Sequence, residues 1–278
     1  MERFLSFVII TLIAVVGTFA QSEKKPEKIA VEELVAKHLA SIGTPEAIAA
    51  AKSRVMAGVG VFTTKSSPGR IGGPAQLASA GDKFLLAIVL NSNDYPYEKF
   101  AYDGKDLTTG VRPGGGPSAL GDFLRSNKVI FKRGLLGGVL SQQWAPLTAQ
   151  KDVKLAFGGS TKMGDKSLYK VKTSGAGLGD MTVSLYFEPD TFRHVRTEYF
   201  YRTGQLSTLS PDRTGGPAPS TYTLTEDFSN FTKVDDLILP MNYVLEYTTD
   251  AGRPMTWTVN FSQVFNNQPL EATVFRVS

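Results

Sequence analysis

The sequence predicts a mainly β domain, an antiparallel meander of about ten or eleven strands with a few helices. Three observations support this prediction. Apolar and polar residues alternate over most of the chain from residue 54 onward, and short turns such as GDK, PDT and VDD separate these stretches. Helical spacing is confined to residues 31–50 and to one interruption between Pro117 and Pro146. No long linker or exact repeat divides the chain, so we expect a single domain over residues 31–278.

Two helices are expected at the start of this domain. Residues 31–42 have apolar side chains at the i, i+3, i+4, i+7 spacing of an amphipathic helix, with Glu33 and Lys37 paired on its wet face. Gly43 ends this helix. Thr44 is placed to cap a second helix, and Pro45 occupies the first helical position, where proline is favoured.

The predicted strands differ in how many of their faces are apolar. One face of the first strand carries Val55, Ala57, Val59 and Val61. Residues 82–91 (DKFLLAIVLN) are apolar on both faces, so both faces should be covered by other parts of the chain. The more apolar face of the last strand carries Met255, Trp257, Val259 and Phe261.

The N-terminus has the layout of a secretory signal peptide. Arg3 supplies a positive charge, residues 4–16 form an apolar run, and Thr18-Phe19-Ala20 forms a small-x-small cleavage site. The run is too short to span the ~30 Å of a hydrocarbon core. We therefore expect a signal peptide over residues 1–20, cleaved after Ala20, and a charged linker over residues 21–30. The mature chain should be periplasmic and should lack a transmembrane span.

The amino-acid composition limits which kinds of molecule the chain is expected to bind and how it is expected to be anchored. The chain has 30 Lys+Arg and 26 Asp+Glu, a net charge of +4, without a basic cluster interleaved with aromatic residues, so nucleic acid is not an expected partner. It contains no cysteine. A chain of this length can bury enough surface without disulfides. Because it lacks a cysteine to acylate, it is not expected to be a lipid-anchored lipoprotein itself.

No motif points to catalysis, a cofactor or a metal. The sequence lacks G-x-S-x-G, Walker A, H-E-x-x-H and EF-hand patterns, so we expect no catalytic residue, no cofactor and no metal ligand. His38 lies on the apolar stripe of the first helix and is expected to be a core histidine held by a hydrogen bond. Strand alternation places His194, Arg196 and Glu198 on one face, which we interpret as a solvated outer face with cross-strand pairs rather than a charged site.

Both ends of the mature chain resemble the periplasmic lipoprotein-carrier (LolA/LolB-like) superfamily. Residues 231–240 read F-x-x-V-D-D-L-x-L-P and residues 267–275 read N-x-P-L-x-x-x-x-F, two patterns similar to the C-terminal part of those proteins. The opening helices resemble the superfamily's N-terminal layout, with Thr44 in place of the second glycine of a pair. The resemblance implies a curved, incomplete antiparallel β-barrel with helices packed on its open concave side. It also implies an apolar concave surface that holds acyl chains or a lipidated client.

Residues 133–144 (RGLLGGVLSQQW), here called the 133–144 segment, are the most apolar stretch outside the N-terminus. Leu136, Leu140 and Trp144 recur at i, i+4, i+8, which predicts a short amphipathic helix, preceded by another helix within residues 118–127. Gly137 and Gly138 would each cost about 1 kcal/mol in a helix interior. They leave two interpretations open: close packing of a fixed plug on the sheet, or a weakened lid that moves to admit a ligand.

The favoured hypothesis is an exported, non-catalytic protein that binds a lipid, an acyl chain or a lipoprotein client in a hydrophobic half-barrel. The residues expected to form its lining and lid are Leu86, Ile88, Leu136, Leu140, Trp144, Trp257 and Phe261. The first alternative is a structural or interaction protein of the cell envelope whose barrel is filled by its own side chains. The second is an exported hydrolase, for which His194 and Glu198 form the first pair to test. An envelope protein partner also remains open.

Overall fold

The computed structural model describes residues 28–64, 67–144, 153–175, 177–202, 220–250 and 254–277. The predicted signal peptide, its cleavage site after Ala20 and most of the predicted linker lie outside these residues. None of the helices in the described ranges has the length and apolar character of a membrane span.

The helices occupy the positions that the sequence predicts. The two N-terminal helices are α1 (Val31–Ile42) and α2 (Pro45–Ala50), and the hydroxyl of Thr44 accepts a hydrogen bond from the backbone N–H of Ala47, as expected of a cap. Two more helices, α3 (Ala119–Ser126) and α4 (Val129–Lys132), fall within the predicted interruption of the strands. Single 3₁₀ turns span Gly138–Leu140 and Ala272–Phe275.

Within the described residues, one antiparallel sheet contains twelve strands. Their bounds are β1 (Ser53–Thr64), β2 (Ser67–Ala80), β3 (Lys83–Val89), β4 (Tyr97–Tyr102), β5 (Leu107–Thr109), β6 (Val153–Met163), β7 (Lys166–Gly175), β8 (Thr182–Phe187), β9 (His194–Arg202), β10 (Thr221–Val234), β11 (Leu237–Thr249) and β12 (Met255–Asn266). Strands that are neighbours in sequence pair in space, except β5 and β6, and β1 pairs with β12, which gives the order β5-β4-β3-β2-β1-β12-β11-β10-β9-β8-β7-β6. The edge strands β5 and β6 do not pair with each other. The predicted fold class, a curved incomplete antiparallel barrel with helices, is confirmed.

A stretch rich in Gly and Pro forms the first part of β2. Residues 67–75 continue the ladder with β1, whereas β3 pairs only with Ala75–Ala80 of this strand. Pro74 therefore lies at the end of the doubly paired region, where a missing N–H is tolerated. Gly72 and Gly73 allow close approach of backbones: a Cβ atom on Gly72 would lie 2.5 Å from the carbonyl oxygen of Gly60.

The predicted helix in the 133–144 segment is wrong. Gly134, Gly137 and Gly138 have φ angles of 64°, 84° and 48°, in the left-handed region that breaks a right-handed helix. The segment instead runs through tight turns around the single 3₁₀ turn at Gly138–Leu140. The i, i+4, i+8 spacing of Leu136, Leu140 and Trp144 thus reflects burial of all three side chains rather than a helical stripe.

The predicted placement of His194 on a solvated face is also wrong. A register shift between β8 and β9 falls at Tyr186/Phe187, so His194 points inward, as Thr197 does, while Arg196 and Glu198 remain on the outer face. His194 is fully buried. The expected cross-strand pair is present on the outer face, where the Arg196 guanidinium binds the Asp227 carboxylate through two hydrogen bonds of 2.5 and 2.8 Å.

The main core lies between the concave face of the sheet, the helices and the 133–144 segment. On β1 the buried apolar side chain is Met56, while Val59 on the opposite face is 55% exposed, so the small apolar residues of that strand face outward. A second, smaller cluster covers the outer face of β3, as the two-sided apolar pattern predicts. There Leu85 packs with Phe275 of the C-terminal 3₁₀ turn.

Candidate ligand-binding site

The 133–144 segment lies across the concave face of the sheet. Its apolar side chains belong to the same buried core as the sheet residues named from sequence. The seven residues expected to form the lining and lid, Leu86, Ile88, Leu136, Leu140, Trp144, Trp257 and Phe261, all lie in that core and are at most 6% exposed. Trp144 and Trp257 occupy different parts of it, since the ring neighbours of Trp144 are His38 and His194 and those of Trp257 include Phe62.

Glu226 of β10 binds the first half of this segment, at Gly137. Its carboxylate accepts hydrogen bonds from the backbone N–H of Gly137 at 2.7 Å, the Tyr199 hydroxyl at 2.6 Å and the Tyr243 hydroxyl at 2.5 Å. The side chain is fully buried. Burial raises the pKa of Glu226 to about 7, because desolvation outweighs the hydrogen bonds that favour the charged form.

Arg54 binds the middle of the segment from β1. Its Nη1 donates hydrogen bonds to the carbonyl oxygens of Val139 at 2.8 Å and Leu140 at 3.4 Å, and its Nε donates to Oδ1 of Asn266 at 3.2 Å. The side chain is 3% exposed. Desolvation lowers the pKa of Arg54 to about 10. The group therefore stays a cation at neutral pH inside an apolar surrounding.

His38 binds the far end of the segment from α1, and the expectation of a core histidine is confirmed. Its Nε2 accepts a hydrogen bond of 2.7 Å from the indole N–H of Trp144, and its Nδ1 lies 2.9 Å from the carbonyl oxygen of Phe192. These two contacts place the proton on Nδ1. Burial lowers the pKa of His38 to about 4. The Trp144 ring also stacks on His194, with centroids 4.4 Å apart.

A second buried carboxylate lies away from the segment. Glu98 of β4 accepts hydrogen bonds from the hydroxyl groups of Tyr95 and Ser118, and the Tyr95 oxygen in turn accepts one of 3.0 Å from the indole N–H of Trp257. Desolvation raises the pKa of Glu98 to about 7. This network ties the start of α3 to the sheet.

A cavity of about 880 Å³ lies beside the 133–144 segment, between it and the N-terminal helices. We call it the helix-side cavity. Most of its lining residues are apolar or small: Ala36, Leu39, Ala40, Ile42, Gly43, Pro45, Ile48, Ala49, Ala51, Gly81, Val139, Trp144 and Leu237. The remaining ones are Thr44, Lys52, Arg54, Ser141 and Gln142. Its volume falls in the range of roughly 300–1,000 Å³ that small-molecule sites occupy.

Of the seven residues named from sequence, only Trp144 lines the helix-side cavity. The structure brings the other six together as packed core. Sequence analysis did not single out Arg54 or Glu226, although each carries a signal. Arg54 has the same strand parity as the buried Met56, and Glu226 lies between Leu224 and Phe228 on an inward face. A charged residue in such a position indicates a buried polar contact.

The site does not bring together a set of groups suited to catalysis. His194 and Glu198, the pair considered for a hydrolase, lie on opposite faces of β9. The groups with strongly shifted pKa values, apart from Arg54, are enclosed in the core and do not line the helix-side cavity. In the described ranges no cluster of His, Asp and Glu has the arrangement of a metal site.

Comparisons with known proteins concern the fold. Protein-family models and curated proteins gave no match. Among solved structures, a LolA superfamily protein from Nitrosomonas europaea is similar at 13% identity and a TM-score of 0.49, over 90% of this chain and 99% of that one. An outer membrane lipoprotein-sorting protein domain from Vibrio parahaemolyticus has 11% identity and a TM-score of 0.46, over 87% and 94%. A DUF1329 family protein from Desulfovibrio piger has 10% identity and a TM-score of 0.44, over 90% and 98%. The first of these proteins belongs to the superfamily that the sequence motifs resemble.

Proposed function

We propose that this chain is an exported, non-catalytic protein that binds an acyl chain of a lipid or of a lipoprotein in the helix-side cavity. One observation carries the proposal: an apolar cavity of about 880 Å³ remains open between α1, α2 and the 133–144 segment, whereas six of the seven residues expected to line a half-barrel are packed in the core. Burial of apolar ligand surface supplies roughly 25 cal/mol per Å², so such a cavity favours a hydrocarbon chain.

In this proposal the 133–144 segment is a fixed wall of the site. Val139, Ser141 and Trp144 line the cavity, and the buried side chains of Glu226, Arg54 and His38 bind the segment at successive points. Ligand entry then takes place from the side of α1 and α2, whose lining residues Ala36, Ala40 and Ala49 are exposed. The layout of residues 1–20 supports export to the periplasm.

The test is binding of a fluorescent acyl-chain probe to the delipidated protein, preceded by native mass spectrometry of protein purified from a cell envelope. We expect a co-purified ligand and saturable probe binding. Ala40→Trp places a large ring in the cavity and should weaken probe binding about tenfold or more. Ala50→Trp is the matched control, because Ala50 lies on α2 outside the lining.

Absence of both co-purified ligand and probe binding would contradict this function and favour the alternative, an envelope structural or interaction protein. That alternative is supported by the dense packing of the concave face, where Leu86, Leu140 and Trp257 are almost fully buried. Equal weakening by Ala40→Trp and Ala50→Trp would place the probe outside the helix-side cavity.

A further inference from the structure

Among the described residues that line the helix-side cavity, the charged ones have one sign. They are Lys52 and Arg54, and no described aspartate or glutamate is among them. Lys52 is exposed, whereas Arg54 is 3% exposed. The cavity therefore combines apolar walls with two cationic side chains from the junction of α2 and β1.

Arg54 has no counter-charge in the described part of the chain. Its three hydrogen bonds go to neutral acceptors, the carbonyl oxygens of Val139 and Leu140 and the amide oxygen of Asn266. It forms no ion pair with a described residue. Removing a cation from water without pairing it is costly, and proteins usually place an anion beside it. Glu226 shows the contrast, since its carboxylate is surrounded by three donors.

We propose that the ligand of the helix-side cavity is an anionic amphiphile, whose head group pairs with Arg54 and whose chain lies along Leu39, Ile48 and Val139. This inference deepens the proposed function and rests on it. Nη1 and Nε of Arg54 already donate to protein oxygens, so the head group accepts its hydrogen bond from Nη2. A hydrogen bond between charged partners is roughly twice as strong as one between neutral partners. A fatty acid and a phospholipid share this anionic chemistry. Lys52, which is exposed, adds a second positive charge.

The test uses competition on the unsubstituted, delipidated chain. A neutral fluorescent acyl probe is bound first and is then displaced by decanoate or monodecyl phosphate, each below its critical micelle concentration, or by decanol below its solubility limit. We expect at least one of the two anions to displace the probe at a concentration about tenfold lower than decanol does, which corresponds to one charge-assisted contact. The ratio between decanoate and monodecyl phosphate distinguishes a fatty acid from a phosphate head group.

Variants locate the head group. In Arg54→Gln the ratio between the displacing concentrations of decanol and of the anions should fall to about one, whatever the affinity of the variant for the neutral probe, and Arg54→Lys should retain part of the preference. Lys52→Gln should reduce the preference by less than about threefold, because an exposed charge is screened by solvent. Lys37→Gln is the control, since Lys37 lies on α1 outside the lining. If Arg54→Gln does not fold, the three competitors on the unsubstituted chain still decide whether an anion is preferred.

The outcomes separate this inference from the proposed function. Failure of the neutral probe and of all three competitors to bind would overturn both. Binding of the probe with equal displacement by decanoate, monodecyl phosphate and decanol would overturn the anionic ligand and leave acyl-chain binding intact. Preference for the anions that persists in Arg54→Gln, or that is lost only in Lys52→Gln, would remove Arg54 from the head-group site.

Discussion

Two regions of the concave face hold the same segment in opposite ways. Around Glu226, a buried carboxylate accepts three hydrogen bonds, and the surrounding side chains belong to the buried core. Around Arg54, a buried cation donates to neutral carbonyl groups beside a cavity of about 880 Å³. The first region is a closed polar network, whose parts satisfy one another. In the second region the described residues leave the Arg54 cation without a counter-charge and the cavity beside it unfilled. For this reason we propose that the ligand binds there.

The largest expected effect is on the closed network. Glu226→Ala leaves the Gly137 N–H and the hydroxyl groups of Tyr199 and Tyr243 buried without their acceptor. Each such loss costs about 1–3 kcal/mol, so the three losses together should lower the free energy of unfolding by at least about 3 kcal/mol. Urea denaturation measures this change.

The matched control for that substitution is Glu246→Ala. Glu246 is exposed on β11 and accepts one long hydrogen bond of 3.3 Å from the Thr256 hydroxyl. Its removal should change the free energy of unfolding by less than about 0.5 kcal/mol. Similar losses for Glu226→Ala and Glu246→Ala would show that the network around Glu226 does not hold the 133–144 segment.

The next largest effect concerns packing in the same region. Gly137 has a φ angle of 84°, and a Cβ atom there would lie 2.5 Å from Cε2 of Phe84. Gly137→Ala therefore combines backbone strain of about 1–2 kcal/mol with overpacking, and we expect it to lower the free energy of unfolding by about 2–4 kcal/mol. A movable lid would instead keep its stability and exchange ligand more slowly.

Gly115→Ala is the control that separates backbone strain from overpacking. Its φ angle is 89°, and a Cβ atom there would have no neighbour within 4 Å. Gly115→Ala should therefore show the backbone strain alone, about 1–2 kcal/mol. If Gly137→Ala costs no more than Gly115→Ala in thermal or urea unfolding, the 133–144 segment is not packed as a fixed wall.

The pH dependence of the free energy of unfolding tests the second buried carboxyl group, that of Glu98. The pKa of Glu98 is raised by desolvation from 4.5 to about 7. Between these values the unfolded chain releases the proton that the folded chain keeps, so the contribution of Glu98 to stability is present below pH 4.5 and is lost as the pH rises through 7. We expect the unfolding free energy of the native chain, minus that of Glu98→Gln, to fall across this window by on the order of 3 kcal/mol.

The subtraction is needed because His38 titrates with the opposite sign. Its pKa is lowered by burial from 6.5 to about 4, so its contribution to stability rises with pH between these values. The same His38 is present in both proteins, and its effect cancels in the difference. A difference between the native chain and Glu98→Gln that stays constant from pH 4 to pH 8 would mean that Glu98 is not desolvated.

Sequence patterns predict the frame of the fold better than the path of the 133–144 segment. The antiparallel pairing of neighbouring strands and the N-terminal helices follow from period-two alternation, short turns and capping by Thr44, all of which are local signals, whereas the pairing of β1 with β12 does not. The path of the 133–144 segment does not, because its glycines adopt left-handed conformations only against a completed sheet. The inward direction of His194 depends on a register shift that one strand alone does not reveal.

The candidate site, too, could be predicted from the sequence only in part. Apolar spacing identifies residues that become buried, and all seven residues named from sequence are buried. Spacing does not distinguish a packed core from the lining of a cavity, because both require apolar side chains. The distinction depends on how far α1 and α2 lie from the 133–144 segment, which is a property of tertiary packing. Apolar spacing also misses Arg54, because it considers only apolar residues. Once the inward face of β1 is known from Met56, the inward direction of Arg54 follows, since the two residues are two positions apart on the same strand.

The smallest effect on stability is expected for Ala40→Trp, a substitution in the lining of the helix-side cavity. Ala40 is an exposed residue of α1 that lines open space, so Ala40→Trp adds a large side chain without displacing packed neighbours. The substitution costs a few tenths of a kcal/mol in helix propensity, and the new ring gains contacts with the apolar walls. We expect the free energy of unfolding to change by less than about 0.5 kcal/mol, against 2–4 kcal/mol for the single methyl group added at Gly137. Urea denaturation of the two variants side by side measures the contrast. A loss above about 2 kcal/mol for Ala40→Trp would mean that the space beside α1 is already filled, and weakened probe binding in that variant would then report unfolding rather than a blocked site.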